Sequence, residues 1–470
     1  MTTQLTSWAD SERPADGLRG EGVPTGRELL CALKAGLCPE PHAGWQHVEI
    51  EAPVVRAEGL LDLFPMESKV VWEGAGEPTY VGLGEAARFT ATGPERMSEV
   101  RRQGEAYLSQ GVMDAGLQRA RLFGGFAFAP GGGETDPWAD FGDACFVMPR
   151  WLYRVDAGRA WLRLTWDASA MKNESRLAEQ AQAISEFFEK SEEPGAVLSV
   201  APLNVVEHLD PEAWNKQVEA IREVIDQGDF HKIVAARRST VTCDVPLRPQ
   251  DVLTRLAERH IDCRRFAFAF HPETCFVGAT PERLVRLKGG EVHSEALAGS
   301  IPVSDAEGLL DSAKDALEHR LVVDDVVAAL RPYCDTVEYD ETPSLRRLRD
   351  VAHMETPIRG VLRQDAHILD LVEALHPTSA VGGVPQRGAQ DWIVAHEPAR
   401  GWYSGPVGWF DVEGEGDFAV ALRCGLLTGK RAYLFAGAGV VGASEPALEY
   451  EETRWKMLTL MRALGVQEQA

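Results

Sequence analysis

The run Gly437-Ala-Gly439-Val-Val-Gly442 stands after a strand-like segment, RAYLFAGAGVV, and before a helical one, SEPALEYEETRWKMLTLMRALG. Its position constrains the fold more than any other feature. In a dinucleotide-binding unit this glycine spacing needs a second parallel strand beyond the helix, with an acidic residue near its end. Only 28 of the 470 residues follow Gly442, and the helix takes up most of them. What the motif predicts instead is a glycine-lined strand-to-helix turn whose backbone N–H groups suit an anion such as a carboxylate. The segment FAVALRCGLLTG, read as one strand, comes just before, so the C-terminal order is strand, strand, helix.

The same mixture runs through the chain. HVEIEAPVV, KVVWEG, FGGFAFAP, CFVMPRWLYRV and AWLRLTW read as short strands, followed by a helix, SRLAEQAQAISEFFEKSEE. EEPGAVLSVAPLN then breaks the pattern near Val200. Beyond it PEAWNKQVEAIREVIDQG reads as a helix, HKIVAARRSTVTC as a strand and RFAFAFHPETCFVGAT as a strand pair, and a long amphipathic helix lies within SDAEGLLDSAKDALEHRLVVDDVVAALRPYC. Helices mixed with hairpins predict an α+β fold with antiparallel sheets, not a doubly wound parallel one. The expected organisation is a loose segment over residues 1–45, an N-terminal half over 46–200 and a C-terminal region over 201–470.

Charge narrows the partners. With 48 Lys and Arg against 72 Asp and Glu the net charge is −24, and no basic run stands out, so neither nucleic acid nor an anionic membrane surface is an expected partner. The eight cysteines form no CxxC pair, which argues against a zinc ribbon or a redox motif. The N-terminus lacks the basic and apolar regions of a signal peptide, and the longest largely apolar uncharged run, Ala432 to Ala443, is too short to span a bilayer. These features predict a cytoplasmic protein.

Two acidic pairs are candidate metal ligands. Asp315 and Glu318, and likewise Glu449 and Glu452, are three residues apart on predicted helices, which puts each pair on one helix face. Four carboxylates on two facing helices would suit Mg²⁺ with retained waters, although such pairs are more commonly solvated surface. Lys232, His353, His376, Tyr403 and Arg423 lie in segments rich in Gly, Ala or apolar residues, where a lone polar side chain is more commonly a satisfied structural one.

HKIVAARR, FVGATPERLVR, SEALAGS, KDALEHRLVV, HMETPIRGVL, LHPTSAVGGVP, YSGPVGWF, FAVALRC and LFAGAGVVGASEPALEYEETRWK occur in the order and wording of the chorismate-utilising enzymes, and the resemblance covers roughly Pro202 to Gly465. It implies a large α/β/β/α sandwich of two packed antiparallel sheets with outer helices, the active site in a cleft between the sheets, and residues 46–200 as the variable half of that sandwich. Members that add ammonia to chorismate carry no lysine where Lys232 stands, and those that form aminodeoxychorismate carry one where Ala298 stands. Both positions imply water as nucleophile, chorismate as substrate, isochorismate as product (a step toward menaquinone or a related product) and no glutaminase subunit. The alternative implied by the same residues is salicylate, formed with pyruvate by way of isochorismate.

In this resemblance Lys232 is the general base and Glu282 the general acid on the departing C4 hydroxyl. Both must start neutral, and desolvation would supply the shift for Glu282. Mg²⁺ on Glu318 and Glu452, with Asp315 and Glu449 acting through waters, would bind the ring carboxylate together with backbone N–H groups near Gly299, Ser300 and Gly439. Arg423 and Tyr403 match the clamp on the enolpyruvyl carboxylate, His353 a residue near the ring, and His376 a residue that shapes the cleft floor. Three positions depart from the family's wording: IPVSDAEG follows ALAGS in place of an Arg-Gly, Glu355 stands where a small residue is commoner, and Ser379 replaces a proline.

Overall fold

The structure is a computed structural model that describes residues 24–37, 44–74, 76–111, 119–190, 202–349, 351–363 and 366–466. Among these residues every strand pairing is antiparallel. The long strands Thr79–Ala91 and Ala144–Asp156 pair along their length, from Thr79 opposite Val155 to Ala91 opposite Ala144. The second half of Ala144–Asp156 pairs with Arg159–Trp166 and its first half with Arg121–Phe126, so this pair belongs to two sheets at once.

One sheet continues from Thr79–Ala91 through Lys69–Glu73, Arg264–His271, Thr274–Thr280, Cys424–Thr428 and Arg431–Val440 to Lys232–Cys243. The other continues from Arg121–Phe126 through Pro406–Asp411, Gly416–Val420, Arg283–Lys288 and Glu291–Pro302 to Val351–Leu362. Period-two alternation decides what lies between them. In the FAFAF segment Phe266, Phe268 and Phe270 point into an aromatic layer with Phe276, Trp138 and Trp402, whereas Ala267 faces the helices outside. That layer draws on strands of both sheets and forms the middle of the sandwich.

Helices close both outer faces. Gly26–Ala35, Glu174–Lys190 and Pro249–Arg259 pack on the first sheet, and Arg96–Leu108, Ala313–Leu330 and Ile368–Leu375 on the second. This is the expected α/β/β/α arrangement. The segment expected to be loose contains Gly26–Ala35, whose Thr25–Glu28 capping box starts a helix that buries Leu29, Leu30 and Leu33, so the expectation does not hold there. Residues 1–23 and 38–43, and the expected boundary near Val200, lie outside the described residues.

FAVALRCGLLTG is two strands, not one. The break falls at Arg423, whose φ of 48° interrupts the extended backbone, so Gly416–Val420 pairs in one sheet and Cys424–Thr428 in the other. The neighbouring chain crosses between the sheets at Pro281 and Glu282, between Thr274–Thr280 and Arg283–Lys288. Among the described residues no helix is long and apolar enough to cross a membrane.

Candidate active site

The crossovers open onto a cleft lined by Lys232, Glu282, Glu318, Arg423, Glu452 and Lys456, among others. Lys232 begins the strand Lys232–Cys243, which pairs with Arg431–Val440 so that Gly439 lies opposite Val234. The Lys232 side chain is 1% exposed, and its Nζ stands 2.8 Å from Glu318 Oε1. A Cβ on Gly439 would come within 2.7 Å of both Lys232 Cε and Glu318 Oε1. That close approach is why glycine is needed at Gly439, so the GxGxxG pattern serves side-chain packing beside the cleft rather than a parallel βαβ unit.

On the opposite wall, Glu282 is held by its backbone. Its N–H donates to Thr280 Oγ1 at 3.2 Å, and its carbonyl accepts from the N–H of Val420 at 3.1 Å. Burial first, and then the charge of Glu295, push its carboxyl up to about 8, even though Lys232, Lys456 and Arg423 favour the ionised form. Glu282 is therefore protonated at neutral pH and can donate a proton.

Gly299, with a φ of 68°, sits at a bulge in the pairing of Glu291–Pro302 with Val351–Leu362, which leaves both Gly299 and Ser300 on the cleft wall. His353 is anchored there. Its Nδ1 donates to the Gly299 carbonyl at 3.0 Å and lies 3.1 Å from Ser300 Oγ, which leaves Nε2 as the acceptor 3.4 Å from Arg423 Nη2. Burial and the charge of Arg423 hold the imidazole neutral, well below its usual range. Tyr403 stacks on Phe435 with ring centroids 5.3 Å apart, and burial pushes its hydroxyl up to about 12, so it remains a donor.

The acidic pairs divide. Glu318, on Ala313–Leu330, and Glu452, on Pro446–Ala463, line the cleft, but Asp315 and Glu449 do not. Asp315 lies behind Gly299, where an added Cβ would meet the Asp315 Cβ at 3.3 Å, and Glu449 is buried one helical turn from Glu452. Among the described residues no group of three or more His, Cys, Asp or Glu side chains is gathered closely enough to hold a metal ion. His376 also lies off the cleft. Its Nε2 meets the Phe128 carbonyl at 2.9 Å, while Ala380 and Val381 of the same loop form part of the wall.

The cleft contains one cation that the sequence did not single out. Lys456 reaches it from the helix of Glu452, bonding Glu452 Oε1 at 2.5 Å and the Gly437 carbonyl at 2.9 Å. Its i,i+4 spacing from Glu452 was the available signal. Glu355, expected to alter the pocket wall, does not line the cleft. Arg423 and Lys456 stand against Glu318 and Glu452, and with Glu282 neutral the cleft is spared the negative balance of a chain of −24.

Fold and cleft together define an enzyme that takes a small anion between two antiparallel sheets. Residues 53–465 match the family described as chorismate binding enzyme, and the chain belongs to that family. It is 37% identical over 407 residues to the salicylate biosynthesis isochorismate synthase of Pseudomonas aeruginosa, covering 84% of each chain. It is 37% identical over 410 residues to isochorismate synthase MenF of Bacillus subtilis, covering 83% of this chain and 86% of the relative. The solved structure of MenF, the menaquinone-specific isochorismate synthase from Escherichia coli, superposes with a TM-score of 0.78 at 26% identity, over 94% of this chain and 99% of that one. Anthranilate synthase component I from Streptococcus pneumoniae shares the fold, with a TM-score of 0.63 at 20% identity over 97% and 100% of the two chains.

Proposed function

We propose that this chain is an isochorismate synthase that converts chorismate reversibly to isochorismate. The observation that carries the proposal is the buried Lys232 side chain in the same cleft as Glu282, a carboxyl kept protonated by burial. Water attacks C2 of the ring while the C4 hydroxyl departs. As the free amine, Lys232 takes the proton of the attacking water, and Glu318, 2.8 Å from Nζ, steadies the ammonium that results. Glu282 gives its proton to the departing hydroxyl, which leaves as water, so one water enters and one leaves. Each such group contributes roughly 10²–10⁴-fold to rate.

Arg423 and Tyr403 are assigned to the enolpyruvyl carboxylate, with His353 fixing the Arg423 guanidinium from behind. Gly299, Ser300 and Gly439 supply wall close to the ring carboxylate. The donor set also fits a hard divalent cation: Glu318 and Glu452 are two carboxylates on one cleft, and the missing Cβ of Gly439 leaves space beside Glu318. Bound by those two side chains, Mg²⁺ would supply positive charge for the ring carboxylate, with Asp315 and Glu449 one layer back. Ala298 on the wall offers no amine, which supports water as nucleophile and a chain that works without a glutaminase subunit.

The test is a chromatographic product assay with purified protein, chorismate and Mg²⁺, without glutamine or ammonia. Isochorismate, approaching an equilibrium mixture and lost in Lys232→Ala or on adding EDTA, is the expected result. Salicylate with pyruvate would replace the assignment with the alternative product, and no conversion would refute both.

A further inference from the structure

Behind the wall that carries Glu282 lies a second set of charges, which the acid–base assignment does not use. Glu295 is on the strand Glu291–Pro302, and its Oε1 accepts from the backbone N–H of Arg283, the residue after Glu282, at 2.7 Å. The same oxygen accepts from Arg346 Nη1 at 3.2 Å. Arg346 is itself divided: Nη1 also donates to Glu355 Oε1 at 2.9 Å, and Nη2 donates to the Asp262 carbonyl at 3.2 Å. None of Glu295, Arg346 and Glu355 lines the cleft.

We propose that Glu295 is a positioning residue for Glu282: it fixes the peptide that follows the acid and keeps negative charge behind its carboxyl, while Arg346, shared with Glu355, only partly neutralises that charge. The proposal rests on the assignment of Glu282 as the general acid. A nearby carboxylate raises the cost of ionising a neighbouring one. Three basic side chains face Glu282, namely Lys232, Lys456 and Arg423, and each, when charged, favours its ionised form, while His353 across the cleft is neutral. Burial opposes them, and Glu295 is the charge that reinforces it. Burial pushes the Glu295 carboxyl up and Glu355 adds to this, while Arg346 and Arg283, through its N–H and its charge, favour the ionised form that the proposal requires. This gives the departure at Glu355 a purpose. By drawing on Arg346, it stops that guanidinium from neutralising Glu295 completely.

The pH dependence of kcat/KM for chorismate, with Mg²⁺ present, tests this in the wild type, Glu295→Gln and Glu355→Gln. Glutamine keeps an oxygen to accept from the Arg283 N–H but removes the charge. In Glu295→Gln the alkaline limb should move to lower pH by on the order of one unit, with kcat at pH 8 falling more than KM rises. Glu355→Gln should move the limb in the same direction by less, because Arg346 then pairs fully with Glu295. A Glu295→Gln enzyme that keeps the wild-type limb overturns the proposal. Should that variant fail to fold, an unshifted limb in Glu355→Gln overturns it equally. The wild-type profile separates the two layers: absence of isochorismate there removes the functional assignment, whereas an active wild type with unshifted variants removes only the role of Glu295.

Discussion

Glu282 and Arg423 are tied together through the backbone where two neighbouring strands leave one sheet for the other. The N–H of Val420 donates to the Glu282 carbonyl at 3.1 Å, and the N–H of Ala279 donates to the Arg423 carbonyl at 3.1 Å. The proposed acid and the proposed carboxylate clamp, each in a short connection between strands, are thus tied by backbone hydrogen bonds to the neighbouring connection or strand end.

That arrangement makes Arg423 a demanding position. It is half-buried, its backbone sits at φ 48°, and its Nη2 is 3.4 Å from the acceptor nitrogen of His353. Lysine keeps the charge but loses the planar fork that matches a carboxylate. Arg423→Lys is expected to raise KM for chorismate by about tenfold or more, corresponding to roughly 1.4 kcal/mol of lost binding, with a smaller change in kcat. Steady-state kinetics checks this, and an unaltered KM removes Arg423 from the clamp.

The raised carboxyl of Glu282 predicts how activity and stability follow pH. Because it titrates near 8, kcat/KM should fall as pH rises through about 8, as the acid loses its proton. Stability follows the same group. The folded state holds the proton up to about 8, whereas an unfolded glutamate releases it near 4.3, so this contribution is full below about 4.3 and lost as pH rises through 8. Glu282→Gln should be inactive yet lose less thermal stability than the wild type between pH 6 and pH 9. Melting curves at the two pH values decide, and parallel losses would contradict the shift.

Much of this was legible in the sequence, and the rest was missing for identifiable reasons. Period-two alternation in RFAFAFHPETCFVGAT marked the strands whose phenylalanines fill the sandwich. The join of the two sheets through Thr79–Ala91 and Ala144–Asp156 was not legible, because one strand pairing with different partners along its length leaves no mark in a single periodicity. The break at Arg423 was hidden likewise: left-handed backbone at a non-glycine residue has no local signature, and FAVALRC reads as continuously apolar. Spacing put Asp315 beside Glu318 on one helix face, but only packing against Gly299 reveals that Asp315 lies behind the cleft wall.

Gly439 allows a direct test of how tightly the Lys232–Glu318 pair is packed. An alanine Cβ would stand 2.7 Å from both Lys232 Cε and Glu318 Oε1, closer than side chains tolerate, so one of the two must move. Displacements of this size cost up to about 10²-fold in rate when they misplace a reacting group. Gly439→Ala should fold, since Gly439 does not need left-handed backbone, but lose most of its kcat. A variant with wild-type kcat would mean that the lysine's position is not critical.

Ser379, where the family's wording has proline, carries the last prediction. Its backbone N–H donates to Asp325 Oδ2 at 2.9 Å, which ties the loop bearing Ala380 and Val381 of the cleft wall to the helix bearing Glu318. Proline has no N–H and cannot make this bond. Burial already pushes the Asp325 carboxyl up, and the Ser379 N–H is the first of the groups that favour its charged form, ahead of the Ser379 hydroxyl and Lys232. Restoring the family residue should therefore harm this chain. Ser379→Pro is expected to lose about 1 kcal/mol of stability, the cost of leaving a half-buried acceptor without its donor, and to raise KM as the wall loosens. Ser379→Ala, which keeps the N–H, should stay close to wild type in both. Denaturant unfolding and kinetics on the pair decide the matter: equal behaviour of the proline and alanine variants would show that the serine amide does not hold the wall in place.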